Sequence, residues 1–451
     1  MRISLLLVAT ALAGCTVGPD YTRPHIALTP RFMAASEIAT SADTDWWRGF
    51  HDPLLSGLID KAVAGNTDLA QARARIDQSR AIAKAAGAAL LPTIDGTGDL
   101  ASTSQSLETP IGHVSNLLGL PRGYTEYGVG ARASWELDLF GGAARGREAA
   151  RADLGATEAS AEAVRIAIAA ETADAYLTLR ALQARLDVAE GQARNQALLV
   201  GLVRLRFDQG VAAERELNRA IAGLEGVRAS SAPLRAGTAA QLNRIDVLVG
   251  EQPGSNRQAL SIVAAIPVAP LPSGSTAPED LLRRRPDVVA AERRLAASTA
   301  RIGQSVADYY PHVSLSGILG IASLGTSTLL TGSAVQVSGG IGLRWRLFDF
   351  GRVDAEVAQA RGREAEALAA WRGSVLHAAE DVETALSRLS EARLERAALD
   401  RQVTALVLTR AQAQDAYRGG VIGLIDVTDA DRELLAASDR LATVKGEEAR
   451  A

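Results

Sequence analysis

Trp135-Glu136-Leu137-Asp138-Leu139-Phe140-Gly141 and Trp345-Arg346-Leu347-Phe348-Asp349-Phe350-Gly351 are two versions of one heptapeptide, set 210 residues apart. The same offset carries Arg206-Phe207-Asp208-Gln209-Gly210-Val211 onto Ala416-Tyr417-Arg418-Gly419-Gly420-Val421. Upstream, Asn66-Thr67-Asp68 matches Arg285-Pro286-Asp287, and Leu91-Pro92 matches Tyr310-Pro311, both at an offset of 219. The step of nine residues falls between Pro92 and Trp135, in what reads as a strand-to-strand loop. The chain is a duplicated unit with one insertion, and each half should supply equivalent parts of a pseudo-symmetric body.

Around the heptapeptides the pattern has a period of two, which is that of a strand. From Glu126 to Leu139 the odd positions Tyr127, Val129, Ala131, Ala133, Trp135, Leu137 and Leu139 are apolar, and Glu126, Arg132, Ser134, Glu136 and Asp138 alternate with them. Val335, Val337, Ile341, Leu343, Trp345 and Leu347 alternate with Gln336, Ser338, Arg344 and Arg346; Val313, Leu315, Leu319 and Ile321 do so with Ser314 and Ser316. The stretch after Pro92 alternates more weakly. Strands are expected over about 92–104, 124–140, 311–323 and 335–349. Ten-residue segments with aromatics near their ends fit a membrane β-barrel, although a half-buried soluble sheet has the same alternation. Four strands per chain cannot close a barrel, because the smallest single-chain barrels have about eight. Open edges in lipid leave backbone groups without partners, so other copies of the chain must finish the wall.

The rest reads as helix. Leu54 to Ala89 and 279–308 are Ala-rich with three- and four-residue apolar spacing. Residues 142–207 and 352–417 read as very long helices, each about 100 Å if unbroken. Residues 212–249 and 422–448 return from them. Helices of that length need partners along their whole course, hence coiled-coil-like packing, although Arg393 interrupts the apolar stripe after Leu386 and Leu389. Pro253, Pro267, Pro270, Pro272 and Pro278 mark 251–277 as the linker between a first repeat, 54–250, and a second, 278–451.

Composition removes several function classes. A net charge of −4 with 22% charged residues and no basic stripe gives no footing for nucleic-acid binding. Five scattered histidines and one cysteine offer neither a metal cluster nor a nucleophile, so the chain is read as neither an enzyme nor a metalloprotein. The cysteine itself is informative. Arg2 precedes an apolar run to Ala13, too short to span a bilayer, and Leu12-Ala13-Gly14-Cys15 follows. Residues 1–14 read as an export signal, and 15–53 as an extended, proline-bearing segment. Leu12 to Cys15 resembles a bacterial lipobox, which implies a covalent lipid on Cys15 and no other cofactor; Thr16 fits outer-membrane sorting.

Cys15 to Pro24, Trp46-Trp47 leading to Asp52-Pro53, Arg284-Arg285-Pro286-Asp287-Val288 continuing to Leu295, and Leu347 to Arg352 together resemble the outer-membrane efflux lipoproteins. These are the TolC-like, NodT-type outer-membrane factors of RND-type efflux systems. The resemblance implies a mainly helical chain with membrane β-structure. Three chains would form a twelve-strand outer-membrane barrel continuous with a long periplasmic helical barrel. It implies a passive exit duct of a tripartite pump, with a periplasmic adaptor and an inner-membrane transporter as partners. Arg285-Pro286-Asp287 also has a plain structural reading as a helix start.

The resemblance further places a gate at Ile425, Asp426 and Asp429, just after the second helical turn, where carboxylates from three copies would form a ring. In the first copy Glu216 stands for Asp426 and Arg219 for the second acid, so only the second-copy helix should line the constriction. A solvated helix face including Asp431, Arg432 and Glu433 is the plainer alternative. Phe207, Gln209, Gly210, Val211, Tyr417, Arg418, Gly420 and Val421, at the two turns, are the expected adaptor-docking knobs. The rival for the whole chain is a lipid-anchored periplasmic coiled-coil adaptor or scaffold without a pore.

Overall fold

A computed structural model describes residues 16–26, 45–269 and 278–451; Cys15 lies outside them. The order of elements repeats as the sequence does. The first copy runs through α1 (Pro53–Gly65), α2 (Thr67–Ala88), β1 (Thr93–Ser104), α3 (Pro110–Leu117), β2 (Gly123–Leu137), α4 (Gly142–Asp208) and α5 (Glu214–Leu248). After the short α6 (Arg257–Leu260) come α7 (Pro278–Arg284), α8 (Pro286–Ala307), β3 (His312–Ser323), β4 (Val335–Arg344), α9 (Arg352–Arg418) and α10 (Leu424–Arg450). The offsets hold to the residue. Both ends of α2 and of β1 map onto α8 and β3 at 219, and both ends of α4 map onto α9 at 210, each of the pair having 67 residues. The nine-residue step lies in the β1–β2 connection, which also carries α3.

Two expected single helices are each split, at matching positions. Asn66 takes an extended ψ of 133°, and its side-chain oxygen accepts from Asp68 N at 2.8 Å and Leu69 N at 3.2 Å, starting α2 as an N-cap. In the second copy Pro286 cannot donate a backbone N–H, so α7 stops and α8 starts there. Arg285 grips Asp287 in the first turn of α8 through Nε at 3.1 Å and Nη2 at 2.8 Å, and reaches Asp381 at 2.9 Å. Burial alone would raise the Asp287 carboxyl, but the Arg285 guanidinium outweighs it and holds the group below the usual range.

The chain divides into two units. The first takes the described residues of Met1–His25 with Arg75–Glu158 and Ala290–Arg372, and contains the sheet. Its strands pair antiparallel in the order β1-β2-β3-β4. The register gathers Ile94, Leu100, Tyr127, Val129, Trp135, Val313, Leu315, Leu319, Ile321, Val337, Ile341 and Leu343 on one face. The opposite face carries Asp95, Thr97, Asp99, Glu126, Arg132, Ser134, Glu136, Ser314, Ser316 and Ser338. Most of the large apolar residues on the first face are exposed, among them Ile94, Leu100, Val337 and Ile341. An exposed apolar sheet face of that extent marks a surface that something apolar covers. Each copy fixes the foot of its second strand alike: Trp135 Nε1 donates to Leu90 O and Trp345 Nε1 to Tyr309 O, both at 3.0 Å.

The expected strand over 335–349 ends at Arg344, and that over 124–140 at Leu137. In β2, residues 135–137 are paired only by β3, since β1 pairing begins at Ser134. Residues 345–347 are their counterparts, and among the described residues no strand reaches them. The N-terminal segment lies against this unit: Val17 N donates to Phe140 O at 3.1 Å, and buried Arg145 binds Val17 O at 3.2 Å and Asp20 at 2.6 Å.

The second unit takes the described residues of Ile26–Ala74 with Ala159–Val289 and Gly373–Ala451. Its main core joins Trp47, Leu55, Ile59, Ile168, Tyr176, Leu179, Ile245, Leu248 and Leu260. Full burial of a Leu or Ile contributes about 1.5–3 kcal/mol. Asp52-Pro53 starts α1: Asp52 accepts from Leu54 N and Leu55 N, and its second oxygen accepts the Tyr176 hydroxyl at 2.6 Å. Burial, aided by that carboxylate, pushes the Tyr176 hydroxyl up to about 12. The expected linker is tied down over its first part. Buried Asp246 accepts from Gly254 N and Asn256 N, and Arg180 donates to Ile262 O at 2.6 Å. The interruption at Arg393 is an ion-pair seam, in which Arg396 meets Glu448 at 2.9 Å and Arg393 meets it at 3.6 Å. Among the described residues no helix is long and apolar enough to cross a membrane.

Candidate functional site

The two helical turns belong to the second unit and are built by one rule. Gly210 and Gly420 each have φ of +76°, the left-handed geometry that favours glycine. Val211 N donates to Arg206 O at 2.8 Å and Val421 N to Ala416 O at 2.9 Å, while each glycine N–H bonds the carbonyl three residues back. Both turns therefore satisfy the last carbonyls of a 67-residue helix with a left-handed cap. Leu199, Val203 and Ala220 of the first copy pack with Tyr417, Leu424 and Val427 of the second, so the turns share one small core.

That core decides which side chains are presented. On α10, Leu424, Val427 and Ala430 are buried, whereas Ile425 and Asp426 are exposed and Asp429 is half-buried. Helical spacing brings Ile425, Asp429 and Arg432 onto one face, with Asp426 beside it. Both carboxylates have local partners. Asp426 Oδ2 accepts from Gly423 N at 3.1 Å, closing the start of α10, and Asp429 pairs with Arg432 at 3.0 Å. Neither contact is buried, and the charges stay accessible to a second ligand or a second copy.

Of the expected docking residues, Gln209, Gly210, Val211, Arg418, Gly420 and Val421 are exposed, Val421 at 80%, and Phe207 is at the margin of exposure. Tyr417 is a correction: at 3% exposure it is core, not a knob. Its ring lies under the Arg206 guanidinium, 4.8 Å from ring centre to Cζ, and Arg206 also reaches Tyr417 O at 3.4 Å. The aromatic residue is therefore a spacer between the turns.

Asp431 is a second correction. Read from sequence it belongs to a solvated face, but its side chain is 4% exposed and pairs with Arg410 of α9 at 2.8 Å. Its other oxygen has no partner among the described residues, and Gln192 Nε2 approaches its carbonyl at 3.5 Å. A cavity of about 290 Å³ next to it is lined by Gln192, Gln196, Arg219, Thr428 and Arg432. The signal was available: Asp431 follows Leu424 and Val427 at i+7 and i+4, on the buried stripe. At the offset of 210, Arg410 and Asp431 replace Val200 and Ile221 of the first copy. At this level the first copy has two half-buried apolar residues, and the second has an ion pair between buried Asp431 and half-buried Arg410.

Comparison with known proteins places this architecture. The family model described as outer membrane efflux protein matches residues 58–251 and 277–451, one stretch on each copy. Nodulation protein T of Rhizobium leguminosarum bv. trifolii is 28% identical over 443 residues, covering 96% of this chain and 91% of its own. Cation efflux system protein CusC of Escherichia coli K12 is 28% identical over 440 residues, covering 96% and 93%. Among solved structures, the outer-membrane channel OprN matches with a TM-score of 0.88 and 34% identity over 97% of each chain.

Proposed function

The chain belongs to the outer membrane efflux protein family, and from that premise we propose that three copies close one passive duct through the outer membrane. The protein is an outer-membrane efflux channel with the TolC-like fold, and its exposed apolar strand face is its lipid surface. One observation carries the trimer. The sheet has four strands and two free edges, β1 and β4, so a single chain cannot satisfy its backbone in lipid. Three chains give twelve strands, within the range of known barrels. A lipid-anchored scaffold without a pore would have no use for such a sheet.

The remaining assignments follow from chemistry at each end. Cys15 carries the lipid anchor, immediately before the segment that Arg145 and Phe140 hold against the first unit. The turns at Gln209–Val211 and Arg418–Val421, with Phe207, face the periplasm and receive the hairpin of an adaptor, which links the duct to an inner-membrane transporter. Ile425, Asp426 and Asp429 of three copies line the mouth. Six carboxylates there, partly offset by Arg432, retard anions, hold cations and keep the aperture narrow.

Reconstitution into planar bilayers tests the reading. Wild-type protein should give discrete low-conductance steps that multivalent cations block. The Asp426→Ala, Asp429→Ala double variant should raise conductance several-fold and lose the block. Unchanged steps and unchanged block would remove the gate from these residues.

A further inference from the structure

We propose that β4 of one chain and β1 of the next pair antiparallel in a single register, with Ile341 opposite Leu100, Leu343 opposite Gly98, and Arg346 opposite Asp95 as an ion pair across the seam. The inference rests on the trimer reading and adds the residues that make the joint. It follows from the repeat itself. Inside the chain the two copies meet where β2 pairs with β3, with Trp135 opposite Leu315, Ala131 opposite Leu319 and Val129 opposite Ile321. Adding 210 turns β2 positions into β4 positions, and subtracting 219 turns β3 positions into β1 positions. Both offsets are fixed independently, by the ends of α4 and α9 and by the ends of β1 and β3. Trp135 opposite Leu315 then becomes Trp345 opposite Gly96, and Val129 opposite Ile321 becomes Gly339 opposite Ser102.

Four features not used in that mapping agree with it. The first is facing. On β4 the apolar face holds the odd positions, and on β1 it holds the even ones, Ile94 and Leu100. The mapped register joins odd to even, so apolar meets apolar; a slip of one residue would set Ile341 against Asp99 or Ala101.

The second is charge. Arg344 and Arg346 stand on the polar side at the foot of β4, and Asp95 and Asp99 on the polar side of β1. Neither acid has an ion-pair partner among the described residues, and Arg346 has only Glu356 at 3.5 Å. In the chain the mapped position is Glu136 opposite Ser314, and Glu136 pairs there with His312 Nδ1, two residues along β3, at 2.7 Å.

The third is an aromatic site with half of it vacant in one chain. Phe140 stacks on Tyr310 across the in-chain junction at 4.5 Å and 17°. Their counterparts are Phe350, fully exposed at 104%, and Leu91, 63% exposed. Both are exposed in one chain, and across the joint each would cover the other.

The fourth is the short β4. Residues 345–347 match 135–137 of β2, which are strand because β3 pairs them. Opposite residues 345–347 the mapping places residues 96–94 of the next chain, so β4 should lengthen to 347 on assembly.

Cysteine pairs read the register directly, because residues directly opposite approach to about 4.5–5.5 Å at Cβ whereas positions two residues off lie about 7–8 Å away. In full-length protein with Cys15 left in place, L100C/I341C should form a covalent three-chain ring under mild oxidation. It should do so roughly ten times faster than L100C/G339C or L100C/L343C, with L100C alone as the blank. Faster linking by a shifted pair, or no linking in a particle whose mass is three chains, overturns the register and leaves the trimer standing. A particle of one chain overturns both. For the ion pair, D95N and R346Q should each lower the temperature at which the detergent-resistant oligomer falls apart, and D95N/R346Q should be no worse than either single variant. A double variant whose loss is the sum of the two single losses removes the Arg346–Asp95 pair.

Discussion

The two helical turns share a backbone and differ in chemistry. Each ends a 67-residue helix, each turns on a glycine at φ +76°, and the return helices begin at Glu214 and Leu424, again 210 residues apart. Yet where the first has Val200, Ile221, Glu216 and Arg219, the second has Arg410, Asp431, Asp426 and Asp429. Duplication supplied the geometry twice, and substitution put an ion pair where the first turn has two apolar residues. A buried ion pair adds little net stability compared with apolar packing of the same volume, but it fails abruptly when one partner goes. The second turn is therefore the one whose packing depends on an ion pair, and it bears the residues proposed to line the mouth.

The largest effect that would test this contrast is at Asp431. Asp431→Ala leaves the half-buried Arg410 guanidinium without its partner and should destabilise the protein by about 1.5–3 kcal/mol in denaturant unfolding. Arg410→Val with Asp431→Ile, which copies the first turn into the second, should be neutral or stabilising and should hold the channel in its low-conductance form. If the copied pair is as damaging as the single change, the two turns are not interchangeable at this level.

Gly210→Ala and Gly420→Ala should cost about 1–2 kcal/mol each, since both force a side chain into the left-handed region. Equal losses by thermal unfolding would support a common backbone; a loss at one turn alone would break the symmetry. A smaller effect separates the two helix starts. Asp287 has a carboxyl held below its unfolded value of about 4, so its contribution is complete above that pH and disappears as pH falls through the lower folded value. Asn66 does the equivalent work with an amide, which does not titrate. Asp287→Asn should thus flatten part of the stability loss measured below about pH 4, and Asn66→Ala should lower stability equally at pH 4 and pH 7. The smallest expected effect is none: Glu216→Ala with Arg219→Ala should leave single-channel conductance unchanged, in contrast to the Asp426 and Asp429 pair.

Most of the fold is legible in the sequence because it is written twice. The offsets locate α4 and α9, and the alternation locates all four strands, since a pleated sheet with one apolar face admits no other period. What misleads is local. Asn66 and Pro286 each end a helix in a run whose apolar spacing continues through them, so periodicity alone joins α1 to α2 and α7 to α8. Residues 345–347 carry strand alternation but have no partner strand among the described residues. At the turns, exposure does not follow from position. Tyr417 lies beside the turn yet is buried by Arg206 and the first-copy helix, and Asp431 is a charged residue on the buried stripe because Arg410 faces it.

The measurement that bears most directly on the whole account is the native mass of the detergent-solubilised particle, taken on the preparation used for conductance. Three chains per conducting particle is the predicted result, because four strands with two free edges cannot seal a wall alone. A conducting particle of one chain would contradict it.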